Sequence, residues 1–282
     1  MKPKIIGLIG VWYAEKWIAA ALEQALQYCD EVIVAIGANS KFLAKLEDKT
    51  QEIVSKYQDR ITLIKASTGQ AYSQSRADTL NRMLAVSKFR KVGNWVWILD
   101  ADEFYFDCAY QKIREAIDSG LYHHIRVEEK FFFINMTRYL LNSHGRLFRI
   151  SQPNNQFQPT QHWNGNMTKC FILRRDTAQQ GMFHYSLLTD VRYRRLMWET
   201  EHQYQQPRKL QWLSEVYIPY ELDNEEIWIA KNQKLFGCKS PFLAPLVEVE
   251  PDKDGKLFVY NGKHPPHIET TELTTIKDFR KI

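Results

Sequence analysis

Asp100, Asp102 and Glu103 place three carboxylates within four residues, directly after the apolar run Trp95–Leu99. Carboxylates at this spacing hold hard divalent cations, and a cation held by one or two of them bridges the oxygens of a diphosphate and stabilises it as it departs. Position matters as much as residue type. Trp-Val-Trp-Ile-Leu has the length and the β-branched and aromatic content of a strand covered on both faces, as in a parallel sheet. The acids then stand at its carboxyl end, outside which open parallel sheets bind their ligands.

With Asp at ~5% of residues, an Asp-x-Asp triplet arises by chance about once in a chain this long, and a second copy serves as an internal control. Asp252-Lys253-Asp254 lies between Pro251 and Gly255, which is turn chemistry in a solvated loop, and it is expected to be inert. Only the first copy follows a buried strand. The alternative for Asp100 and Asp102 is a pair of solvated loop acids or the cap of the following helix.

The elements that must position these acids read as alternating strands and helices. Lys4–Gly10, Glu31–Ile36, Arg60–Lys65 and Trp95–Leu99 are expected strands. Between them, Ala14–Gln27, a stretch from Ser40 to about Tyr57, and Ser73–Ser87 are expected helices, with Trp17, Ile18, Ala21, Leu22, Ala25 and Leu26 at helical spacing. Four strands in this alternation predict a mostly parallel sheet with right-handed crossovers. Beyond the acids the alternation stops. A short helix at Ala109–Asp118 precedes strand-like runs at His124–Ile134, Arg146–Ile150 and Lys169–Leu173, which predict a mixed-sheet second half. Asp190–Gln203 and Glu221–Phe236 read as later helices, and a tail with Pro241, Pro245, Pro251, Pro265 and Pro266 reads as an irregular wrap-around segment.

Composition limits the partners. The 282 residues carry 38 basic and 33 acidic side chains, a net charge of +5, which is too mild for a dedicated nucleic-acid binder but suits anionic substrates or a membrane surface. The 8 Trp, 14 Tyr and 15 Phe suit sugar stacking, although large aromatics more often fill cores. No run has the length of a transmembrane helix, and the apolar start Ile5–Tyr13 is broken by Glu15 and Lys16, so the mature chain is expected to begin at Met1. Cys29, Cys108, Cys170 and Cys238 are widely spaced, which suggests neither a zinc site nor a disulfide framework and fits a reducing cytoplasm. On that reading the sequons at Asn135 and Asn166 are accidental.

The order strand, helix, strand, loop, helix, strand, Gly-loop, Arg-bearing helix, apolar strand, Asp-x-Asp resembles the nucleotide-sugar-dependent glycosyltransferases of the GT-A fold, family 2 branch. Tyr72-Ser73-Gln74-Ser75-Arg76, followed by Trp95 through Phe104, is similar to bacterial lipopolysaccharide-core and capsule transferases. The likeness covers residues 4 to 106, continues thinly through Gly145-Arg146-Leu147-Phe148-Arg149, and fades after His184.

The resemblance implies an α/β GT-A (Rossmann-like) fold with a mostly parallel central sheet flanked by helices, a mixed-sheet acceptor half and a helical or irregular C-terminal segment. The expected divisions are residues 1–106 for the nucleotide-sugar half, 107–188 for the acceptor half and 189–282 for the appendage. It further implies a metal-dependent, inverting transfer from a nucleoside-diphosphate sugar, UDP-sugar first among them, to a glycan, lipid-linked or other hydroxyl acceptor. The enzyme would work in the cytoplasm, with peripheral contact to the inner face of the membrane.

Carried over by position, Asp100, Asp102 and His184 hold Mn²⁺ or Mg²⁺; the alternative for a lone histidine is a structural role. Trp12, Glu15, Gly37, Asn39, Gly69, Arg76 and Ala101 are expected around the nucleotide sugar, with the Arg76 guanidinium fork at the diphosphate or, alternatively, on a helix surface. The chain departs from the family at three points. Ala14 replaces an Asn before Glu15, Gly37–Ser40 carries no carboxylate where an Asp is usual, and Trp163 follows His162 where a Glu is usual. Glu128 and Glu129 are the strand-borne substitutes for a catalytic base; alternation sends them to opposite faces, so at most one reaches the cleft, and the alternative is a solvated strand edge. Arg174, Arg175, Arg192, Arg194 and Arg195 either steer a phosphorylated acceptor or form solvated faces. Two other classes remain open: a degenerate relative that binds nucleotide or glycan without turnover, and a nucleotidyltransferase, for which the first loop lacks a Gly-rich, Lys-containing signature.

Overall fold

The computed structural model describes residues 2–39, 41, 43–69, 72–133, 136–159, 163–177, 179–187, 211, 215, 225–236 and 258–269. The expected helix at 190–203, Arg192, Arg194, Arg195, His162 and the Asp252/Asp254 copy lie outside them.

Ten described strands form one sheet. Its first half is parallel, with β1 (Ile5–Val11), β2 (Glu31–Ile36), β3 (Thr62–Lys65) and β4 (Trp95–Leu99) in the spatial order β3-β2-β1-β4. The crossovers carry α1 (Ile18–Tyr28), α2 (Thr50–Ser55) and α3 (Tyr72–Val86). Side-chain alternation divides the core between the two faces of this sheet. From β4, Trp95, Trp97 and Leu99 join Trp17, Leu22 and Ile113 on one face, while Val96 and Ile98 join Leu80, Met83 and Leu84 of α3 on the other. Each such side chain contributes roughly 1.5–3 kcal/mol over exposure. Parity then sends Asp100, the next even residue, toward α3.

Two expected helices are shorter than their sequence pattern. Tyr13 sits at φ 54 and residues 14–17 turn, which delays α1 to Ile18. Asp48 Oδ1 accepts the Thr50 N–H at 2.9 Å, a local bond that competes with helix, so the expected helix after Ser40 reduces to a 3-10 turn at Leu43–Lys45 and α2.

The second half is mixed, as expected, but its strands are longer and more numerous. It comprises β5 (Glu103–Phe104), α4 (Asp107–Asp118), β6 (His124–Phe133), β7 (Arg138–Arg149), β8 (Cys170–Leu173), β9 (Met182–Leu187), α5 (Glu225–Phe236), β10 (Phe258–Val259) and α6 (Pro266–Glu269). β7 runs antiparallel to β4 and to β6. β8 and β9 both run parallel to β6, along successive stretches of one edge, with Val127↔Leu173 followed by Glu129↔Met182. They are two halves of one strand, interrupted by an excursion over residues 174–181. Its neck is pinned by Glu128, which takes Arg174 at 2.9 Å and Arg175 at 3.3 Å, and by Lys130, whose Nζ donates to the Gln180 carbonyl at 2.6 Å. The chain re-enters at Gly181, where φ is +81 and a Cβ would stand 2.6 Å from the Glu128 carbonyl oxygen. Gly181→Ala is therefore expected to lower stability by about 1–3 kcal/mol, read as a shift of the denaturation midpoint.

The α/β architecture, a central sheet with helices on both faces, is the expected GT-A class. Among the described residues no helix is long and apolar enough to cross a membrane.

Candidate active site

A two-residue strand assembles the site. After β4 the chain turns through Asp100–Asp102, and β5 pairs with β9 in the register Glu103↔His184 and Phe104↔Phe183. The Tyr185 N–H donates to the Asp102 carbonyl at 2.9 Å. These backbone bonds bring together residues far apart in sequence, with His184 Nε2 3.6 Å from Asp102 Oδ1. The other ring nitrogen, Nδ1, lies 3.0 Å from Glu129 Oε2 on β6, and the Phe131 ring packs edge-on against the imidazole at 4.9 Å. Glu129 Oε1 in turn lies 3.1 Å from His144 Nε2 on β7.

Beside this chain of groups stand two guanidiniums. Arg76 of α3 places Nη2 2.6 Å from Asp100 Oδ1, and its Nη1 lies 3.1 Å from the Tyr72 hydroxyl. Arg146 of β7 donates to Glu103 and stands 3.4 Å from Asp100 Oδ2. Burial works to raise the Asp100 carboxyl, but Arg76 and Arg146 outweigh it and hold the group well below the usual carboxylate range. Burial likewise opposes ionisation of Glu129, and the flanking His144 and His184 bring it down to about 2. For His184 burial disfavours the charged ring, yet Asp102 and Glu129 lift it to about 10.

Among the described residues two buried guanidinium nitrogens here, Arg76 Nε and Arg146 Nε, have no hydrogen-bond partner, and the nearest acceptor to the buried His184 Nε2 is Asp102 Oδ1 at 3.6 Å. Folded proteins leave few such atoms, and several in one place mark a site shaped for something else. His184 fits a metal ligand on these grounds. Its Nδ1 is oriented by a carboxylate, as ligating histidines commonly are, and its Nε2 points toward Asp102. Glu103, Glu129 and His184 also bring ligand atoms within 4.8 Å of one another. However, Glu103 carries Arg146 and Glu129 orients His184, so both carboxylates have protein partners. Asp102 with His184 is the nitrogen-and-oxygen donor set that suits Mn²⁺ or Mg²⁺. Both oxygens of Asp100 face arginines.

The two glutamates expected as candidates for the base lie on opposite faces of β6, as alternation predicts. Glu128 lies on the opposite face, with its oxygens engaged by Arg174 and Arg175. Glu129 faces the site, with its side chain 0% exposed and braced between His144 and His184. The residues expected around a nucleotide gather at the carboxyl ends of β1, β2 and β3. Trp12 precedes the left-handed Tyr13; the Glu15 N–H donates to Asp48 Oδ2 at 3.0 Å and its Oε2 accepts from Lys49 N–H at 3.1 Å. The Gly37 N–H donates to the Val11 carbonyl at 3.1 Å, with φ +130. Asn39 Oδ1 accepts the Thr79 hydroxyl at 2.9 Å, and the Gly69 carbonyl accepts Lys41 N–H at 3.3 Å. Ala101 is buried in the turn after β4. The side chains of Glu15 and Asn39 thus hold the loops of this rim to one another.

His144 was not singled out from sequence, Arg146 stood there only within the thin likeness Gly145–Arg149, and Glu103 only as a member of the acidic cluster. The available signal was period-two spacing, which sets Asn142 and His144 on one face of β7, but a register shift against β6 at Arg146 interrupts the alternation there.

No family model matches the chain, and no curated protein does. Among solved structures, S. aureus TarS is similar at 13% identity, covering 83% of this chain and 49% of that one, with a TM-score of 0.40. Its fragment 1–349 in complex with UDP is similar at 14% identity over 83% and 80%, with a TM-score of 0.39. A 4-diphosphocytidyl-2C-methyl-D-erythritol synthase is similar at 10% identity over 65% and 76%, with a TM-score of 0.33. The chain spans about half the length of the first of these.

Proposed function

We propose that this chain is a metal-dependent glycosyltransferase that moves a sugar from a nucleoside-diphosphate sugar, with UDP the first nucleotide to test, to a hydroxyl acceptor with inversion. The observation that carries the reading is the buried His184 Nε2, 3.6 Å from Asp102 Oδ1, set beside two guanidiniums whose buried Nε atoms have no hydrogen-bond partner among the described residues. A cation site next to an anion site suits a diphosphate leaving group.

In this reading Asp102 and His184 hold Mn²⁺ or Mg²⁺, which when bound neutralises charge on the departing diphosphate. Glu129 fixes the His184 ring so that Nε2 faces Asp102. Arg76 and Arg146 bind phosphate oxygens, and Asp100 holds the two guanidiniums at one spacing. The acceptor is a glycan, lipid-linked or other hydroxyl compound. The test is nucleotide release from a panel of nucleotide sugars with and without Mn²⁺. Release that requires Mn²⁺ supports the reading, and tight Mn²⁺–UDP binding without release from any donor supports a binder instead.

A pH dependence follows from the ring. A nitrogen ligand must be free of its proton, and the His184 proton is retained to about pH 10 in the metal-free protein. Affinity for Mn²⁺ is therefore expected to rise with pH, about tenfold per unit through the neutral and mildly alkaline range, as one proton is displaced. Calorimetric titrations from pH 6.5 to 8.5 in buffers of different ionisation heat read both the slope and the proton release. A flat profile would remove His184 from the metal.

A further inference from the structure

The Arg76 guanidinium is held at its two terminal nitrogens. Nη2 stands 2.6 Å from Asp100 Oδ1 and Nη1 3.1 Å from the Tyr72 hydroxyl, while the buried Nε has no hydrogen-bond partner among the described residues. The bond to Tyr72 has one possible polarity. A guanidinium carries N–H donors and no acceptor, so the phenol oxygen accepts and its own proton is not used in that bond. Among the described residues no acceptor takes that proton. Two neighbouring donors, Arg76 Nε–H and Tyr72 O–H, therefore lack an acceptor from the described protein.

Helix geometry puts the phenol on the ligand side of the guanidinium. Tyr72 opens α3 and Arg76 lies four residues further on, so the two share one face of the helix. β3 runs parallel to β2 and α3 follows its carboxyl end, which sets the first turn of α3 at the crevice and each later turn farther beneath it. Tyr72 is thus one turn nearer the mouth than Arg76. Neither side chain is sealed in the core, since Arg76 is 16% exposed and Tyr72 is half-buried.

The neighbouring faces of the helix are occupied. Ser75 meets the preceding loop so closely that a Cβ on Gly69 would stand 2.5 Å from its Oγ, and Thr79 Oγ1 accepts the Ser67 N–H at 2.9 Å. On the outer side Gln74 Nε2 donates to Asp78 Oδ1 at 2.8 Å. The face of Tyr72 and Arg76 is the one that meets Asp100. A group able to take both remaining donors needs several oxygens and a negative charge to set against the guanidinium, which is the chemistry of a phosphate.

Resting on the nucleotide-sugar reading above, we propose that Tyr72 binds the diphosphate directly, its O–H donating to a phosphate oxygen while its own oxygen receives the Arg76 Nη1–H. The phenol then serves twice. It steadies the guanidinium and adds a neutral donor one turn closer to the mouth.

Calorimetry with Mn²⁺ present compares UDP binding by wild type, Tyr72→Phe, Arg76→Met and the double variant, with uridine, followed by ligand-detected NMR, as the phosphate-free control. Tyr72→Phe is expected to weaken UDP about 10–100-fold, the scale of one hydrogen bond to a charged group, and to leave uridine affinity, Mn²⁺ affinity and the melting temperature unchanged. The loss should recur when Tyr72→Phe is placed on Arg76→Met, because a bond from the phenol to the phosphate does not need the guanidinium. Where Arg76→Met binds UDP too weakly to measure, Arg76→Lys, which keeps a cation without the fork, is the second background. UDP binding by Tyr72→Phe at wild-type strength would overturn the inference and leave the nucleotide-sugar reading standing. A loss seen only with Arg76 present would do the same, by reducing Tyr72 to a prop for the guanidinium, and so would a matching loss for uridine, which would move the contact to the nucleoside. Wild-type protein that binds none of UDP, GDP and dTDP would overturn the nucleotide-sugar reading and this inference with it.

Discussion

Replacing Arg146 by methionine is expected to lower the stability of the protein by about 3–5 kcal/mol. The side chain is 9% exposed and is the ion-pair partner of Glu103, itself 0% exposed, while also standing 3.4 Å from Asp100. Methionine fills a comparable volume, so the loss is chiefly electrostatic: one carboxylate is left buried with no cation, and a second keeps only Arg76. Burial already holds the Glu103 carboxyl up at about 8 despite Arg146, and losing Arg146 raises it further, so the penalty should be largest at alkaline pH and shrink as pH falls toward about 8, where the stranded carboxyl carries its proton. Adding Glu103→Gln to Arg146→Met should restore part of the stability, since it removes the stranded charge. Denaturant midpoints of the single and double variants at two pH values measure all of this. A loss below about 1 kcal/mol, the scale of an exposed pair, would show that water reaches the cluster.

Asp102→Asn and Asp100→Asn are expected to part company despite lying two residues apart. Asp102 faces His184 Nε2, so its amide should weaken Mn²⁺ binding by about 100-fold or more, a loss at or beyond that seen for residues that merely support a ligand, and transfer should cease. Asp100 faces Arg76 and Arg146. Its amide should leave Mn²⁺ affinity within about tenfold and instead weaken UDP binding, as guanidiniums lose charge-assisted bonds of about 1.5–3 kcal/mol each. Titration of both ligands against both variants settles the division. Equal loss of Mn²⁺ would return Asp100 to the metal, and the arginines would then have to rearrange when it binds.

Much of the first half was legible because its strands are contiguous apolar runs and its helices carry one apolar face. Trp95–Leu99 is the clearest case, with all five side chains buried and the acids at its end. The second half hides its organisation. Asn142-Ser143-His144-Gly145 reads locally as a turn, so only the last four residues of β7 stood out as strand. Its polar face is explained only by partners on β6 and on the β4–β5 turn, and nothing local reveals those. β5 is two residues long and leaves no periodicity to detect, although its pairing with β9 sets the site. His184 was nameable only through family likeness, and Glu129 was noticed as a strand-borne acid while its burial between two histidines could not be read. The same nonlocal pairing that makes the site compact makes it hard to read along the chain.

The interrupted strand opposite β6 has an evolutionary consequence. Because β8 and β9 each take their register from β6 independently, residues added to or removed from the excursion at 174–181 do not slide His184 relative to Glu103. Length there is uncoupled from alignment in the site, as it never is within a continuous strand. The chain thus contains a place where descendants can lengthen, shorten or recode a surface feature while the chemistry beneath keeps its geometry.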